Sequence, residues 1–171
     1  MALNNKIFVL LKVLRPHDWI KNLFVYAPLV FSGYFTQINS CLRATLAFVC
    51  FCIVSSSIYI INDVCDKNED QQHPTKKNRP IASGAIASGQ AIMISIILIT
   101  CGVALAYLLD GYVYVYLLLY IFISIAYSLA IKHIAILDVL TIAFGFVLRI
   151  LVGGMAISVV PSYWLVLCTV M

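Results

Sequence analysis

Long apolar runs separated by short polar segments dominate the sequence. A helix that crosses a membrane needs about 20 mainly apolar residues, and five runs approach or reach that length before a sixth begins. The pattern therefore predicts an all-α, multi-span transmembrane helical bundle with about five complete spans and part of a sixth. The predicted spans are residues 23–35 (extended at the start by Trp19 and Ile20), 42–61, 91–109, 112–131 and 136–157, and the sixth starts at Pro161.

Composition argues for a membrane protein and against an ordinary soluble domain. The chain is 63% hydrophobic and 11% charged, whereas soluble domains carry about 25% charged residues. We expect residues 1–171 to form a single transmembrane domain. Lys6 and Lys12 interrupt the first apolar run, so the start of the chain does not resemble a cleaved signal peptide. No long basic stripe is interleaved with aromatic residues, and we expect no nucleic-acid partner.

The distribution of basic residues predicts the orientation of the chain. Nine of the eleven Lys and Arg residues flank the predicted spans on one side, and basic residues accumulate on the cytoplasmic side of membrane proteins. The N-terminus and the acidic loop after the second span should both be cytoplasmic, in an integral multi-pass protein of the cell (inner) membrane. The nine residues are Lys6, Lys12, Arg15, Lys21, Lys67, Lys76, Lys77, Arg79 and Lys132.

The second predicted span runs into a cluster of carboxylates. On a continuous helix, at about 100° per residue, Asp63, Asp66 and Asp70 fall within roughly 60° of one another. Such a cluster repels itself unless cations neutralise it, and Mg²⁺ takes oxygen ligands and bridges carboxylates to phosphates. Lys76 and Arg79 follow in the same loop and suit phosphate oxygens. We therefore predict a magnesium–diphosphate site with the three aspartates as metal ligands; a solvated polar loop is the alternative.

Polar residues before the first span form a second candidate group. Arg15 and Lys21 are candidates for holding an anionic substrate beside the acidic site, and Asn22 is a candidate hydrogen-bond donor there. The alternative is a positively charged membrane anchor in which Trp19 sits at one interface and Tyr34 at the other.

Charged residues also lie at the end of the fourth span and inside the fifth. Lys132 either binds phosphate opposite the acidic helix or snorkels to the membrane surface, and Tyr127, nearby, is a candidate substrate-binding residue. Ionisable residues inside a membrane are costly and are functional candidates by default. Asp138 and Arg149 lie about three turns apart, so they cannot pair with each other directly. We expect Arg149 to line an interior cavity, and Asp138, which is nearer the membrane surface, to act as a cap or loop partner.

Two smaller features carry expectations about structure only. The six cysteines are scattered without paired zinc spacing, which predicts small buried side chains. Asp110 and Gly111 predict a tight turn between the third and fourth spans.

The acidic loop resembles a known motif. It reads N-D-x-x-D-x-x-x-D from Asn62 to Asp70 and H-P-x-K-x-x-R-P-I-A-S-G from His73 to Gly84. This resembles the first aspartate-rich motif of the UbiA superfamily of intramembrane prenyltransferases. Residues 15–22, 127–132 and 138–149 resemble the decaprenyl-phosphate phosphoribosyltransferase branch of that superfamily.

The resemblance implies a Mg²⁺-dependent transfer of a phosphoribosyl group from phosphoribosyl pyrophosphate to a polyprenyl (decaprenyl) phosphate in cell-wall precursor synthesis. It implies catalytic roles for the three aspartates of the motif and Lys132, phosphate contacts for Lys76, Arg79 and Lys132, and 5-phosphate or lipid-phosphate contacts for Arg15 and Lys21. The remaining candidate substrate-binding residues are Asn22, Asn62, Tyr127 and Arg149.

The resemblance also bears on the extent of the chain. The superfamily fold has roughly nine spans, and its second aspartate-rich motif follows the sixth, so we expect this sequence to be the N-terminal part of a longer domain. Three alternatives stay open. They are a prenyltransferase that moves a polyprenyl group from its diphosphate to an aromatic acceptor such as 4-hydroxybenzoate, a cation-binding transporter, and a non-catalytic membrane fragment. The interval from Tyr127 to Lys132 is one residue longer than in aromatic-prenylating members, which favours the phosphoribosyl branch.

Overall fold

The computed structural model describes residues 2–109 and 112–171, and the regular structure of these residues is helical throughout. The predicted all-α fold is therefore confirmed for the described part of the chain. The turn predicted at Asp110 and Gly111 lies outside it. The α-helices are α1 (Ala2–Leu14), α2 (Ala27–Phe31), α3 (Ile38–Cys65), α4 (Lys67–Gln72), α5 (Ser88–Tyr107), α6 (Val113–Leu129), α7 (Ala135–Ala156) and α8 (Tyr163–Val170). Short 3₁₀ turns cover Tyr34–Thr36, Lys76–Asn78 and Ile131–His133, and a longer one, called here the 3₁₀ segment, covers Pro16–Tyr26.

Three described helices are long and apolar enough to cross a membrane, judged by length and composition. They are α3, α5 and the Ile136–Ala156 part of α7. Helix α6 has 17 residues, which is the lower end of the range for a spanning helix. The described residues thus contain three helices of clear membrane-spanning length and a fourth apolar helix, α6, at the lower limit.

The first predicted span, residues 23–35, is not a single α-helix. The 3₁₀ segment passes directly into α2, whose second residue is Pro28. Proline cannot donate the backbone bond to residue i−4, and its ring clashes with that carbonyl, so an α-helix cannot run regularly through Phe24 into α2. A 3₁₀-helix rises about 2.0 Å per residue against 1.5 Å for an α-helix, so residues 16–31 still extend over roughly 30 Å.

Helix α3 is the central element of the bundle. It packs against α1, the 3₁₀ segment, α5, α6 and α7. Its apolar side chains point to all sides, as expected for a helix that is surrounded by other helices. The core on its inner face includes Phe51 and Val54 from α3, Leu117 from α6, and Leu148 and Val152 from α7. The C-terminal end of α3 thus meets several other elements, and the carboxylates lie there.

Two glycines allow close packing between elements of the bundle. A Cβ atom on Gly153 of α7 would lie 1.9 Å from the carbonyl oxygen of Val25, and one on Gly102 of α5 would lie 2.6 Å from Cγ2 of Val54. Only glycine therefore fits at residue 153 without moving backbone atoms. This contact fixes the 3₁₀ segment against α7, although the two are far apart in sequence.

One expectation about individual side chains needs correction, and one side-chain contact was not predicted. Cys50 and Cys52 are buried as predicted, but Cys65, Cys101 and Cys168 are exposed, because they lie on outward faces of their helices. Trp19, predicted as an interfacial anchor, turns its indole N–H inward and donates to Ser56 Oγ at 2.9 Å. The Ser56 hydroxyl in turn donates to the backbone carbonyl of residue 14 at 2.8 Å, which ties the N-terminal segment to α3.

Candidate active site

A cavity of about 460 Å³ opens between the 3₁₀ segment, α3, α6 and α7. It lies where α3 ends, beside the aspartate motif. Eight of the twelve candidate residues line it: Arg15, Lys21, Asn62, Asp66, Lys76, Tyr127, Lys132 and Arg149. The other four, which are Asn22, Asp63, Asp70 and Arg79, contact residues of this lining or of the adjoining ion pairs.

Two of the motif aspartates are buried behind the cavity and share arginines. Asp63 is 4% exposed and Asp70 is 2% exposed. Arg79 Nη1 donates to Asp63 Oδ1 at 3.1 Å and to Asp70 Oδ2 at 2.7 Å. Arg15 Nη2 also donates to Asp63 Oδ1, at 2.5 Å. Arg79 therefore links the two carboxylates, and Arg15 brings the 3₁₀ segment to the same oxygen.

The remaining motif aspartate, Asp66, faces the cavity and is paired across the bundle. Asp66 Oδ1 forms an ion pair with Lys132, which lies in the turn between α6 and α7. Asp66 Oδ2 accepts a hydrogen bond from Asn62 Nδ2 at 3.0 Å. The hydrogen bond to the Asp66 carboxylate raises the pKa of Lys132 above its ordinary value, so the ammonium form is favoured.

The three aspartates do not lie on one continuous helix. Helix α3 ends at Cys65 and α4 begins at Lys67, with Asp66 between them at φ −87° and ψ 4°. Asn and Asp side chains compete with the helical backbone for hydrogen bonds, and here Asn62 and Asp66 pair with each other at the break. The three carboxylates would share one face only on an unbroken helix. With the break, Asp66 lies on one side, and Asp63 and Asp70, linked by Arg79, lie on the other.

The carboxylates are neutralised by side chains of the chain itself. Among residues 2–109 and 112–171, no group of three or more Asp, Glu, His or Cys side chains is gathered closely enough to hold a metal ion. The counter-charges come instead from Arg15, Arg79 and Lys132. The donor chemistry nevertheless fits Mg²⁺, since these are carboxylate oxygens and their present partners are cations that suit phosphate oxygens equally well.

Sequence reasoning missed two residues near Arg15 and Lys21. Asp18 Oδ1 accepts from Lys21 Nζ at 2.9 Å. The ring of Tyr59 lies 5.4 Å from the Arg15 guanidinium carbon and 5.9 Å from Lys21 Nζ, and Tyr59 lines the cavity. Tyr59 lies four residues before Asp63, on the same face of α3, and that spacing is the signal that could have revealed it.

Asn22 lies deeper in the bundle than predicted. Its Nδ2 donates to Ser55 Oγ at 3.0 Å and to Cys52 Sγ at 3.3 Å, and its Oδ1 accepts from Arg149 Nε at 2.9 Å. Ser55 precedes Asp63 by eight residues on α3, a rise of about 12 Å. The sequence suggested that Asn22 lies beside the carboxylates, and this prediction is wrong. Asn22 instead holds Arg149 at the inner end of the cavity.

Asp138 pairs with a helix rather than with a loop. Tyr127 Oη donates to Asp138 Oδ1 at 2.8 Å, which joins the end of α6 to the first turn of α7. Both side chains are half-buried. Asp138, which was expected to act as a cap or loop partner, thus pairs with the phenol of Tyr127. This hydrogen bond fixes one wall of the cavity.

Replacing Tyr127 by phenylalanine should lower the free energy of unfolding by about 1–2 kcal/mol, because the half-buried carboxylate of Asp138 loses a donor. Thermal unfolding in detergent measures the change. Tyr112→Phe is the matched control, since Tyr112 is exposed and lies just before the same helix. Equal melting temperatures for Tyr127→Phe and Tyr112→Phe would mean that the bond to Asp138 contributes nothing measurable.

Comparison with known proteins identifies the fold family. The family model described as UbiA prenyltransferase family matches residues 23–171. The chain belongs to this family. The resemblance inferred from the aspartate motif is thereby confirmed, and so is the helical, UbiA-like architecture.

Curated UbiA-family relatives cover almost all of this chain. A decaprenyl-phosphate phosphoribosyltransferase from Mycolicibacterium smegmatis is 35% identical over 95% of the chain and 52% of its own length. A protein of the same name from Corynebacterium glutamicum is 35% identical over 92% of the chain and 49% of its own length. The chain thus spans about half the length of the curated relatives that it matches.

A solved structure supports the same fold. The UbiA homologue from Archaeoglobus fulgidus, whose structure was solved bound to DMAPP and Mg²⁺, superimposes with a TM-score of 0.80 at 21% identity. The match covers 94% of this chain and 58% of that one. The chain therefore shares the fold of the matched part of that protein.

Proposed function

We propose that this UbiA-family chain carries a Mg²⁺–diphosphate site of a transferase that moves the phosphoribosyl group of phosphoribosyl pyrophosphate to a polyprenyl (decaprenyl) phosphate. The observation that carries the proposal is the arrangement at the end of α3. Three carboxylates, paired with Arg15, Arg79 and Lys132, adjoin a 460 Å³ cavity. The names of the curated relatives support the same reaction.

The charge of the cavity favours an anionic substrate. Five cationic side chains line it, and Asp66 is the carboxylate among its described lining residues. A positively charged cleft with apolar walls concentrates anions and strengthens their binding. The cations are Arg15, Lys21, Lys76, Lys132 and Arg149. Diphosphates and phosphate monoesters are the substrates that such a lining suits best.

The lining also suits a lipid acceptor. Ile123, Ile142 and Phe146 form an apolar part of the cavity wall, and the outer faces of the helices carry many exposed apolar side chains. A polyprenyl tail can lie along such surfaces while its phosphate reaches the cations.

We further propose that the protein lies in the inner membrane with the N-terminus and the acidic loop on the cytoplasmic side. Nine of its eleven Lys and Arg residues flank the predicted spans on one side, and basic residues accumulate on the cytoplasmic side of membrane proteins.

In this mechanism each group of residues has a separate task. Asp63, Asp66 and Asp70 would hold the metal, which when bound neutralises charge on the departing pyrophosphate. Lys132 and Arg79 lie beside the carboxylates and would turn toward the phosphate oxygens. Lys76 would add a further phosphate contact. Arg15 and Lys21, held over Tyr59, would bind the 5-phosphate of the donor or the phosphate of the lipid.

The test is a transfer assay in membranes that contain the full-length protein. Labelled phosphoribosyl pyrophosphate, Mg²⁺ and a polyprenyl phosphate are supplied, and label is followed into the lipid fraction. We expect label in the lipid, loss of transfer with EDTA, and recovery when Mg²⁺ is added back. If no phosphoribosyl label enters the lipid but the protein joins a polyprenyl diphosphate to 4-hydroxybenzoate, the function is the aromatic prenyl transfer instead. Cation flux in proteoliposomes without either transfer would overturn the enzymatic proposal.

A further inference from the structure

A positive charge lies deep in the bundle, away from the carboxylates. Arg149 is 5% exposed and lines the inner end of the cavity. Its Nε donates to Asn22, which is bonded to Ser55. The helical rise between Ser55 and Asp63 places this level about 12 Å from the carboxylate end of α3. The cavity therefore has cations at both ends, and Arg149 is remote from the proposed metal site.

The side chain of Arg149 is held in one orientation. Nε donates to Asn22 Oδ1 at 2.9 Å, and Nη1 donates to the Gly145 carbonyl oxygen at 2.8 Å. The rings of Phe51, Tyr120 and Phe146 lie 4.8, 5.3 and 5.2 Å from the guanidinium carbon. A guanidinium fixed in this way is prepared to form directed hydrogen bonds, because little side-chain freedom remains to be lost on binding.

Arg149 has no carboxylate as a counter-ion in the described part of the chain. The ion pairs there are made by other side chains, among them Arg15, Lys21, Arg79, Lys132 and His17. A buried charge without an opposite charge is costly, more so within a membrane. Neutral oxygens and aromatic rings offset only part of that cost. The opening of the cavity onto Arg149 is the route by which an anion can reach it.

We propose that Arg149 is an anion subsite that binds a phosphate monoester, separate from the diphosphate at the carboxylate end. The inference rests on the proposed function, which supplies both a diphosphate at the carboxylate end and a phosphate monoester for Arg149. A guanidinium suits a phosphate because its planar N–H groups match two phosphate oxygens. Asn22 is a positioning residue in this arrangement: its amide is fixed by Ser55 and Cys52, and its oxygen orients Arg149.

Two substrates of the proposed reaction carry a phosphate monoester. One is the ribose donor, whose 5-phosphate lies at the opposite end from its diphosphate. The other is the polyprenyl phosphate acceptor. The chemistry that Arg149 recognises is the same in both, so the two sources are separated by using one probe for each.

The test measures binding without metal and without turnover. Ribose 5-phosphate and farnesyl phosphate are titrated calorimetrically into the full-length protein in detergent, with ribose and farnesol as the parent alcohols. We expect Arg149→Gln to bind one of the two monoesters about 10- to 100-fold more weakly than wild type binds it. Arg149→Lys should recover part of the affinity, since lysine restores the positive charge but not the paired N–H donors of the planar guanidinium. The parent alcohols should not distinguish the variants.

A matched control separates the subsite from general damage. Arg43→Gln removes a guanidinium that bonds to the Ala156 carbonyl oxygen, outside the cavity, and should leave monoester binding unchanged. Affinity lost for ribose 5-phosphate assigns the subsite to the donor, and affinity lost for farnesyl phosphate assigns it to the lipid. Equal binding of both monoesters by wild type and Arg149→Gln, or no binding by wild type, would overturn the proposal. Arg149-dependent binding without any transfer would retain the subsite and reject only the reaction.

Discussion

Asp63→Asn in the full-length protein is expected to lower Mg²⁺-dependent transfer by roughly two orders of magnitude or more. Asparagine keeps the shape of the side chain but removes the charge that a metal ion and two arginines require. Asp63 Oδ1 accepts from both Arg15 and Arg79, so the change also leaves two cations at the site without their shared carboxylate. Initial rates of label transfer to lipid measure the loss.

Glu69→Gln provides the matched control for this carboxylate-to-amide change. Glu69 lies in the same loop, on α4, but is exposed, and we expect its variant to keep nearly wild-type transfer. Membrane fractionation and a melting curve show whether Asp63→Asn is inserted and folded. A folded Asp63→Asn protein with full activity would remove Asp63 from the metal site.

Gly153→Ala should be the most damaging small substitution in the helices. The new methyl group would lie 1.9 Å from the carbonyl oxygen of Val25, and a backbone atom cannot swing aside as a flexible side chain does. Overpacking typically costs about 1–3 kcal/mol and occasionally more, and we expect about 3 kcal/mol or more here. Because Val25 is three residues from Asn22, the shift should also move Arg149 and weaken monoester binding.

The comparison variant is Gly89→Ala in α5. No atom lies within 4 Å of the position that its Cβ would occupy, and alanine is a better helix former than glycine. Its melting temperature should equal or slightly exceed that of wild type. If Gly153→Ala also melted like wild type, α7 and the 3₁₀ segment would not be in backbone contact.

Features that depend on a local pattern could be predicted from the sequence. The uniform apolar run before Asp63 predicts the long buried helix α3, and Pro161 with Ser162 predicts the start of α8, where Ser162 Oγ accepts from the backbone N–H of Leu165. An unpaired arginine inside a membrane is costly, and the prediction that Arg149 lines a cavity, made on that ground, is confirmed. In each case one energetic term dominates, and neighbouring residues in the sequence are enough to evaluate it.

Features that depend on distant residues could not be predicted. The pairing of Asp66 with Lys132 joins residues 66 positions apart, and it is set by how α6 and α7 pack on α3. The position of Asn22 depends on Ser55 and Arg149, so its own neighbours suggested the wrong level in the bundle. The break at Asp66 likewise reflects side-chain partners that a helical-wheel argument does not include.

The bond between Asn22 and Arg149 has a consequence for synthesis of the protein. The two residues are 127 positions apart, and translation proceeds at about 5–20 residues per second. Asn22 therefore emerges from the ribosome roughly 6 to 25 s before its arginine. Ser55 and Cys52 are made earlier than Arg149 and can hold the amide during that interval. The inner end of the cavity is thus completed only when α7 enters the membrane, after the carboxylate end has already been made.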